Sequence, residues 1–517
     1  MNTFSHNIDK LSPLSKDELF AIILKQQEDI QILKDEIARL KNLPPRPKIK
    51  PSDLDKDTER ELKNKEKGEN SQKKGRKKKN LKNRVSKTQV IEATEVPEGS
   101  RKAGFSDYYV QDLVIAAEVI RLRRERWLTP DDKIIVADLP DWVDGEFGPN
   151  VKRFITALHY QCNASQRNIK ELLNNLEIDI STGETSNILT KSNNDFCEEA
   201  DNILKTGLEV SKYISTDDTG ARHKGKSCYT TQIGNEFFTC FKTTNSKSRE
   251  NFLRVLQAGN TEYFINKTAT DYMKQKGLPD NLIAELSKEK SFSSQESWDK
   301  HLEKFELKPY RLRIVKEAGL IGNLSNFLEN TVILSDGAGQ FNIGIHALCW
   351  VHMERHVHKL ICINDEQHRK KEEIREKIWD YYKKLKIYQK KPVEKEALIK
   401  EFDKIFNQKI NFEALDEILE KIFKHKKELL IILDYPYVPL HTNDSERDIR
   451  SVITKRKISF GTWSDKGKQC RDSFLSIMKT FQKLDINFWQ YLGSRLKTHD
   501  ATKIEYIPDI IKMKAAI

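Results

Sequence analysis

The stretch SKYISTDDTGARHKG (211–225) sets Asp217 and Asp218 side by side at the end of an apolar, β-prone run. A further acid, Asp336, closes the buried-strand pattern TVILSDGAGQF (331–341), and Glu446 lies on a helix within PLHTNDSERDIRSVITKRKISFGTW (439–463). Carboxylate oxygens select hard cations such as Mg2+ or Mn2+. Two such ions about 3.5–4 Å apart activate an attacking oxygen and stabilise a leaving one in in-line phosphoryl transfer. Each acid also has a plain structural reading. Asp217 and Asp218 could close a turn before Gly220, Asp336 with Gly337 is a turn dipeptide, and Glu446 stands where a capping box opened by Asn443 would end. Their joint order on a basic chain favours the metal site. Alternation along YISTDD does not choose between Asp217 and Asp218, because a central strand is covered on both faces.

The elements around these acids set their placement. VSKYIST, KSCYTTQI and EFFTCFKTT read as three strands, the last two joined by Gly234 and Asn235 as a two-residue hairpin turn, and the capped helix SKSRENFLRVL follows. Residues 257–330 read as helical and irregular, 331–336 as a strand, 346–360 (HALCWVHMERHVHKL) as a short strand entering a helix, and 364–432 as charged helix. Three strands, a helix and two more strands make the ribonuclease-H-like order. In it the first and fourth strands lie side by side, bringing two aspartates to one edge while a later helix adds a third oxygen donor.

Upstream, DYYVQDLVIAAEVIRLRRERW carries a helical apolar stripe ending in Arg121, Arg123, Arg124 and Arg126. SQRNIKELLNNLEIDISTGETSNILTK (165–191) reads as helix, turn, helix, the second capped by Ser181 or Thr182, as in a helix-turn-helix entering a major groove. Residues 15–41 open with a capping box, Ser15 with Glu18. Ile23, Ile30 and Ile37 then repeat every seven residues against Leu19, Gln26, Leu33 and Leu40, a seam suited to a parallel two-stranded coil that Pro44 and Pro45 end. The run KKGRKKKNLKNRVSK (73–87) has no apolar period and reads as a disordered linker, with Arg76, Lys77, Lys78 and Lys79 placed to contact phosphates.

The chain has 517 residues, a net charge of +12 and a pI near 9.0, which favours a polyanionic partner, nucleic acid foremost. No run of about 18 apolar residues suggests a membrane span, and the first residues lack the basic-then-apolar order of a signal peptide. Seven scattered cysteines without a Cys-x-x-Cys suit reduced thiols in a cytoplasm.

Four motifs in order resemble the insertion-sequence 66 family of bacterial transposases. DDT (217–219) mirrors that family's Asp-Glu-Thr, SDGAGQF (335–341) its second aspartate motif, CWVH (349–352) its Cys-Trp-x-His signature, and NDSERDIRSVITKRKISFGTW (443–463) its late Asn-x-x-Glu-Arg helix. The resemblance implies an α/β catalytic core of the ribonuclease-H-like, retroviral-integrase type with helical insertions, preceded by a coiled coil and an all-α DNA-binding region. The expected organisation is a coiled coil over 1–43, a basic linker over 44–104 and a helical DNA-binding region over 105–200. The catalytic core then occupies 205–363, with an insertion at 257–330, and resumes at 439–517 after a helical insertion at 364–438.

The family's triad falls on Asp217, Asp336 and Glu446, Asp217 being the first acid of its motif, with two Mg2+ or Mn2+ ions as cofactors. The implied activity is cleavage at element ends and joining of the freed 3′-hydroxyls to target DNA. The partners are double-stranded DNA, a homodimeric or higher assembly and accessory proteins, in a nucleoid-associated cytoplasmic setting. His352, Arg447, Arg450, Lys455, Arg456 and Lys457 are the expected DNA contacts near the triad. Cys349, His352 and His356 approach zinc-ligand spacing, but no second Cys/His pair stands near to complete a site. The chain departs from the family in lacking a cysteine-rich zinc segment and in the length of 257–330. A metal-dependent nuclease of the same fold and an inactive DNA-binding derivative are the rival readings.

Overall fold

The expected strand runs do form one mixed sheet, but the helical stripe upstream of it does not form a helix. A computed structural model describes residues 85–94, 97–191 and 193–516, so the expected coiled coil, Arg76, Lys77, Lys78 and Lys79 lie outside the described residues. The chain divides into two units, residues 1–112 and 113–517. In the first, the described residues carry neither helix nor strand.

In the second unit, residues 113–125 are also without helix, and Leu113, Val114, Val119 and Ile120 are exposed. An amphipathic helix draws most of its stability from burying its apolar face, and these stripe residues are exposed. Strands β1 (Arg126–Leu128) and β2 (Ile134–Val136) then pair antiparallel. The region expected to be all-α over 105–200 therefore becomes helical only at α1 (Pro149–Tyr160).

Two short helices follow as the sequence suggests. In α2 (Gln166–Asn175) the Ser165 hydroxyl accepts from Asn168 N–H at 3.2 Å, and in α3 (Thr182–Thr190) Ser181 accepts from Glu184 N–H at 3.0 Å. The buried face of α3 is Thr185, Ile188 and Leu189, and its sequence TGETSNILT carries an acid and no base. It offers no cation to a phosphate. The longer α4 (Asn194–Val210) leads into the sheet.

The sheet has the order β5-β4-β3-β8-β9, with β3 (Tyr213–His223), β4 (Lys226–Gly234), β5 (Thr239–Thr244), β8 (Val332–Ser335) and β9 (Ile345–Leu348). β3, β4 and β5 form an antiparallel meander, and β8 and β9 add in parallel on the other side of β3. Lys224 and Gly225, both at positive φ, make the tight turn between β3 and β4. The β4–β5 connection differs from the expected two-residue turn. Gly234 is itself paired with Thr239, so Asn235 to Phe238 form a four-residue loop. The Asn235 side chain organises it, accepting from Phe237 N–H at 2.8 Å.

Helix α5 (Arg249–Leu256) follows the meander. Residues 257–330 contain five helices and the small pair β6 (Tyr263–Phe264) with β7 (Ser291–Phe292). Trp298 is fully buried there, stacked on Tyr263 at 5.3 Å, and both belong to the main hydrophobic core that also contains Ile214 and Phe474. Residues 257–330 are thus part of the core.

Residues 364–433 form a second core around α7 (Asp365–Lys390), which packs with α6 (Trp350–His358) and with the helix Lys395–Phe406, and the helix Glu413–Lys424 packs on those two. Helices α8 (Asn443–Ser459) and α9 (Asp465–Leu484) then return to the sheet. Trp350 is buried among Tyr381, Phe402 and Phe406, and its indole N–H donates to the Leu429 carbonyl at 3.0 Å. Trp350→Ala is expected to cost about 3–5 kcal/mol of stability, read by urea denaturation, with the insertion losing protection from hydrogen exchange before the main sheet does.

Candidate active site

β3 is the strand on which the site is built. It runs eleven residues, from Tyr213 to His223, so Asp217 and Asp218 lie mid-strand and not at its end as the sequence suggested. β8 pairs with β3 only from Tyr213 to Ser215, whereas β4 accompanies it to His223. Between Ser215 and the Thr462 bridge at His223 no strand pairs with β3 on its β8 side, and Asp217 stands in that gap.

The parity left undecided by the sequence is settled by one contact. Ser215 Oγ lies 2.6 Å from Ser445 Oγ on α8. Residues two apart on a strand share a face, so Asp217 looks toward α8 with Ser215, and Asp218 looks away. Asp218 accepts from Gln340 Nε2 at 2.6 Å and pairs with Lys247, and its side chain is only 7% exposed. It is a tether between β3 and the loop after β8.

That loop carries Asp336. Its Oδ1 accepts from Ala338 N–H at 3.0 Å, an Asx turn, and Gly337 turns the chain at φ +96°. Beneath it, buried Ser335 accepts from Gly337 N–H at 3.1 Å and meets His346 Nε2 at 2.8 Å. His346 Nδ1 in turn lies 2.7 Å from Glu428 Oε1. Although burial raises the Glu428 pKa, the hydrogen bonds to His346 and His425 bring it below the ordinary carboxylate range. The second acid therefore sits on a loop fastened from below.

Glu446 comes from the first turn of α8, whose N-cap is Thr442 with no side-chain capping bond, so the capping-box reading does not hold. Ser445, Asp448, Ile449, Val452 and Lys455 form the buried stripe of the helix. Glu446, beside that stripe, has Oε1 at 3.4 Å from His352 Nε2 and 3.3 Å from Arg355 Nη2. Arg355 Nη1 is also 3.2 Å from His352 Nε2.

The CWVH motif explains how these partners are held. Cys349 Sγ accepts from Thr442 N–H at 3.4 Å, and Trp350 N–H donates to the Leu440 carbonyl at 2.9 Å. These contacts dock the start of α6 on the segment that opens α8. Burial and the neighbouring Arg355 guanidinium depress the His352 pKa, which keeps the imidazole neutral beside Glu446.

Asp217 senses the two remote acids. Asp217 has its pKa pushed up to about 7, first by burial, then by the charges of Asp336, Asp218 and Glu446, against the opposing hydrogen bond from Asp218 N–H. In the side-chain positions seen, no three acidic, histidine or cysteine groups among the described residues converge tightly enough to grip one ion. That holds for Cys349, His352 and His356 as well, and Cys349 is already engaged with Thr442.

A profile described as "Transposase IS66 family" matches residues 293–470, a stretch that includes Asp336, His352 and Glu446. An uncharacterized protein of Sinorhizobium fredii, y4jO, is 42% identical over 303 residues, covering 57% of this chain and 94% of that protein. The chain belongs to the IS66 transposase family. No solved structure matches it, and no helix among its described residues is long and apolar enough to cross a membrane.

Of the basic residues expected to meet DNA in this transposase-family chain, Arg450 and Lys457 are exposed on α8, and Arg447 is exposed while paired with Asp444. The Arg456 guanidinium donates to the Gly220 carbonyl of β3. Lys455 is a correction. It is 3% exposed, and its ammonium donates to the His159 carbonyl at 2.5 Å, fastening α8 to the end of α1. Burial, then Arg471, lowers its pKa to about 8. Its place in the TKRK run suggested a surface base, but helical periodicity puts it three residues after Val452 on the buried stripe.

Arg355 also follows from helix geometry, one turn after His352. Lys247, Gln340 and Ser445 have no local signature, since only the fold brings them to β3.

The raised Asp217 pKa has a definite sign. Stability associated with the protonated form is present below about pH 4 and is lost as pH rises through about 7. In EDTA, Asp217→Asn is therefore expected to match wild type near pH 4 and to exceed it at pH 8.5 by on the order of 2–4 kcal/mol. Urea denaturation at the two pH values checks this, and an equal difference at both would contradict it.

Proposed function

We propose that this protein is the DNA transposase of an insertion sequence, with a ribonuclease-H-like catalytic core and Asp217, Asp336 and Glu446 as its catalytic carboxylates. The observation that carries the reading is the electrostatic convergence at Asp217. Asp336 and Glu446, both remote in sequence, raise the pKa of Asp217, a carboxyl lifted first by its burial, in a chain of a transposase family. The strand order β5-β4-β3-β8-β9, with β3 and β8 adjacent and parallel, supports the fold.

The donor set fits a hard divalent cation, because it is made of carboxylate oxygens gathered at one edge. Asp217, Asp336 and Glu446 would hold Mg2+ or Mn2+, and a bound pair of such ions supplies activation of an attacking oxygen and charge relief at a leaving one. The rest of the work falls to the protein. Arg355 orients Glu446 and contacts His352 beside it, while Asp218, through Lys247 and Gln340, holds the Asp336 loop against β3. Arg447, Arg450 and Lys457 line the exposed face of α8 and bind strand phosphates without reading sequence.

The reaction proposed has two steps. Water opens a phosphodiester at the element end and leaves a 3′-hydroxyl. That hydroxyl then attacks a target phosphodiester, forming one P–O bond as another breaks, so no external energy source is needed. Juxtaposing two element ends calls for more than one copy of the chain, and residues 15–41 are the segment proposed for self-association.

The test uses full-length protein, Mg2+, labelled element-end DNA and a target plasmid. Asp217→Asn, Asp336→Asn and Glu446→Gln are each expected to lower joining by at least about a hundredfold. Asp218→Asn should retain substantial activity, losing about tenfold or less, as fits a tether. Full joining by Asp336→Asn would rule out the triad, and cleavage without joining would indicate a nuclease. Independently of activity, millimolar Mg2+ should raise the wild-type melting temperature at pH 8 and leave that of Asp217→Asn nearly unmoved.

A further inference from the structure

The turn after α8 combines strain, exposure and charge in a way the carboxylate site does not use. Phe460 closes the helix at φ 56° and ψ −53°, a backbone conformation costly for a bulky side chain. Phe460 is 80% exposed, and three residues on Trp463 is 77% exposed. The backbone between them is tightly fastened to the β3–β4 hairpin. Thr462 N–H donates to the Arg222 carbonyl at 3.1 Å, and Lys224 N–H donates to the Thr462 carbonyl at 2.8 Å. His223 bridges Thr462 Oγ1 and Asp465 Oδ1, each at 2.9 Å. At Gly461 an added Cβ would stand 2.7 Å from the Arg222 carbonyl oxygen, so the turn admits no side chain there. The structure therefore holds a strained, rigid turn whose two large rings point away from the core.

The surroundings are cationic. Arg222, Lys224 and Lys226 on the hairpin tip and Lys457 on α8 are exposed, and the nearby Asp465 is engaged by Lys224 and His223. Aromatic faces set among lysine and arginine are how proteins hold unpaired nucleotides, with phosphates drawn by charge and bases stacked on rings. A base inside a duplex has its faces covered by its neighbours, so such rings take an unstacked one.

We infer that Phe460 and Trp463 form a stacking platform for unpaired nucleotides of bound DNA. Five residues of β3 separate Asp217 from Arg222, about 16–17 Å at strand rise, or about five stacked nucleotides. The platform thus holds bases roughly that far from the phosphate at the carboxylates. The inference rests on the reading that the chain acts on DNA, and not on the metal chemistry.

The experiment measures binding of full-length protein in EDTA, at one fixed salt concentration, to two fluorescein-labelled DNAs. One is a fully paired duplex, and the other is the same duplex with an unpaired 3′ tail of about five nucleotides. Wild type should bind the tailed DNA more tightly. Phe460→Ala with Trp463→Ala should lose about five- to hundredfold in affinity for the tailed DNA and stay within about twofold on the paired one. Phe460→Gly guards against misfolding, since it removes the ring but accepts the backbone angle. It should lose part of the tail preference while keeping or raising the melting temperature. Equal losses on both DNAs, no loss on either, or a change only in sedimentation would overturn the platform. A paired duplex bound normally with no tail preference overturns the platform alone, and binding to neither DNA overturns the DNA reading with it.

Discussion

The parallel pairing of β3 with β8 lasts three residues and then stops, and the rest of the site depends on that early stop. Up to Ser215 the strand is locked between neighbours; two residues later it carries an acid at an edge where β8 no longer pairs. Had β8 run further, its backbone would fill the space that Asp217 and Asp336 face together. The Asx turn at Asp336 ends β8 in time, because the aspartate satisfies the loop's own backbone in place of extending the ladder.

Keeping like charges at such an edge requires firm supports, and they are spread over the whole second unit. Asp218 ties the Asp336 loop from one face of β3, and Ser335, His346 and Glu428 hold it from below. Ser445 sets α8 against Ser215, and Cys349 and Trp350 seat α6 so that His352 and Arg355 reach Glu446. The helical segment 364–433 supplies the Leu429 carbonyl that accepts from the Trp350 indole and the Glu428 carboxylate that receives His346, so it buttresses the site from outside. Residues 257–330 contribute Trp298 and Tyr263 to the core on which the sheet packs.

Much of this was legible in the residues. The strand runs before Asp217 and Asp336, the strand-to-helix passage at CWVH and the helix bearing Glu446 all follow from apolar patterning and turn chemistry. The failures have physical causes. The stripe after Phe105 has helical period, but period alone does not stabilise a helix whose apolar face stays exposed. Gly234 and Asn235 form a good turn pair, yet cross-strand pairing of Gly234 with Thr239 moved the turn outward. Lys455 carries the composition of a phosphate contact and the helical position of a core residue, and position prevailed.

What the sequence by itself determined is the set of local elements and the chemical type of the site: acids ending or interrupting apolar runs, in an order shared with a transposase family. Those depend on neighbours within a few residues, where backbone preference and side-chain period act directly. The tertiary structure alone decided which of two adjacent aspartates faces Glu446, which lysine is withdrawn and which distant residues hold each acid. Such outcomes depend on strand register and on contacts between segments remote in the chain, and no local pattern encodes the face a strand presents until a partner such as Ser445 lies against it.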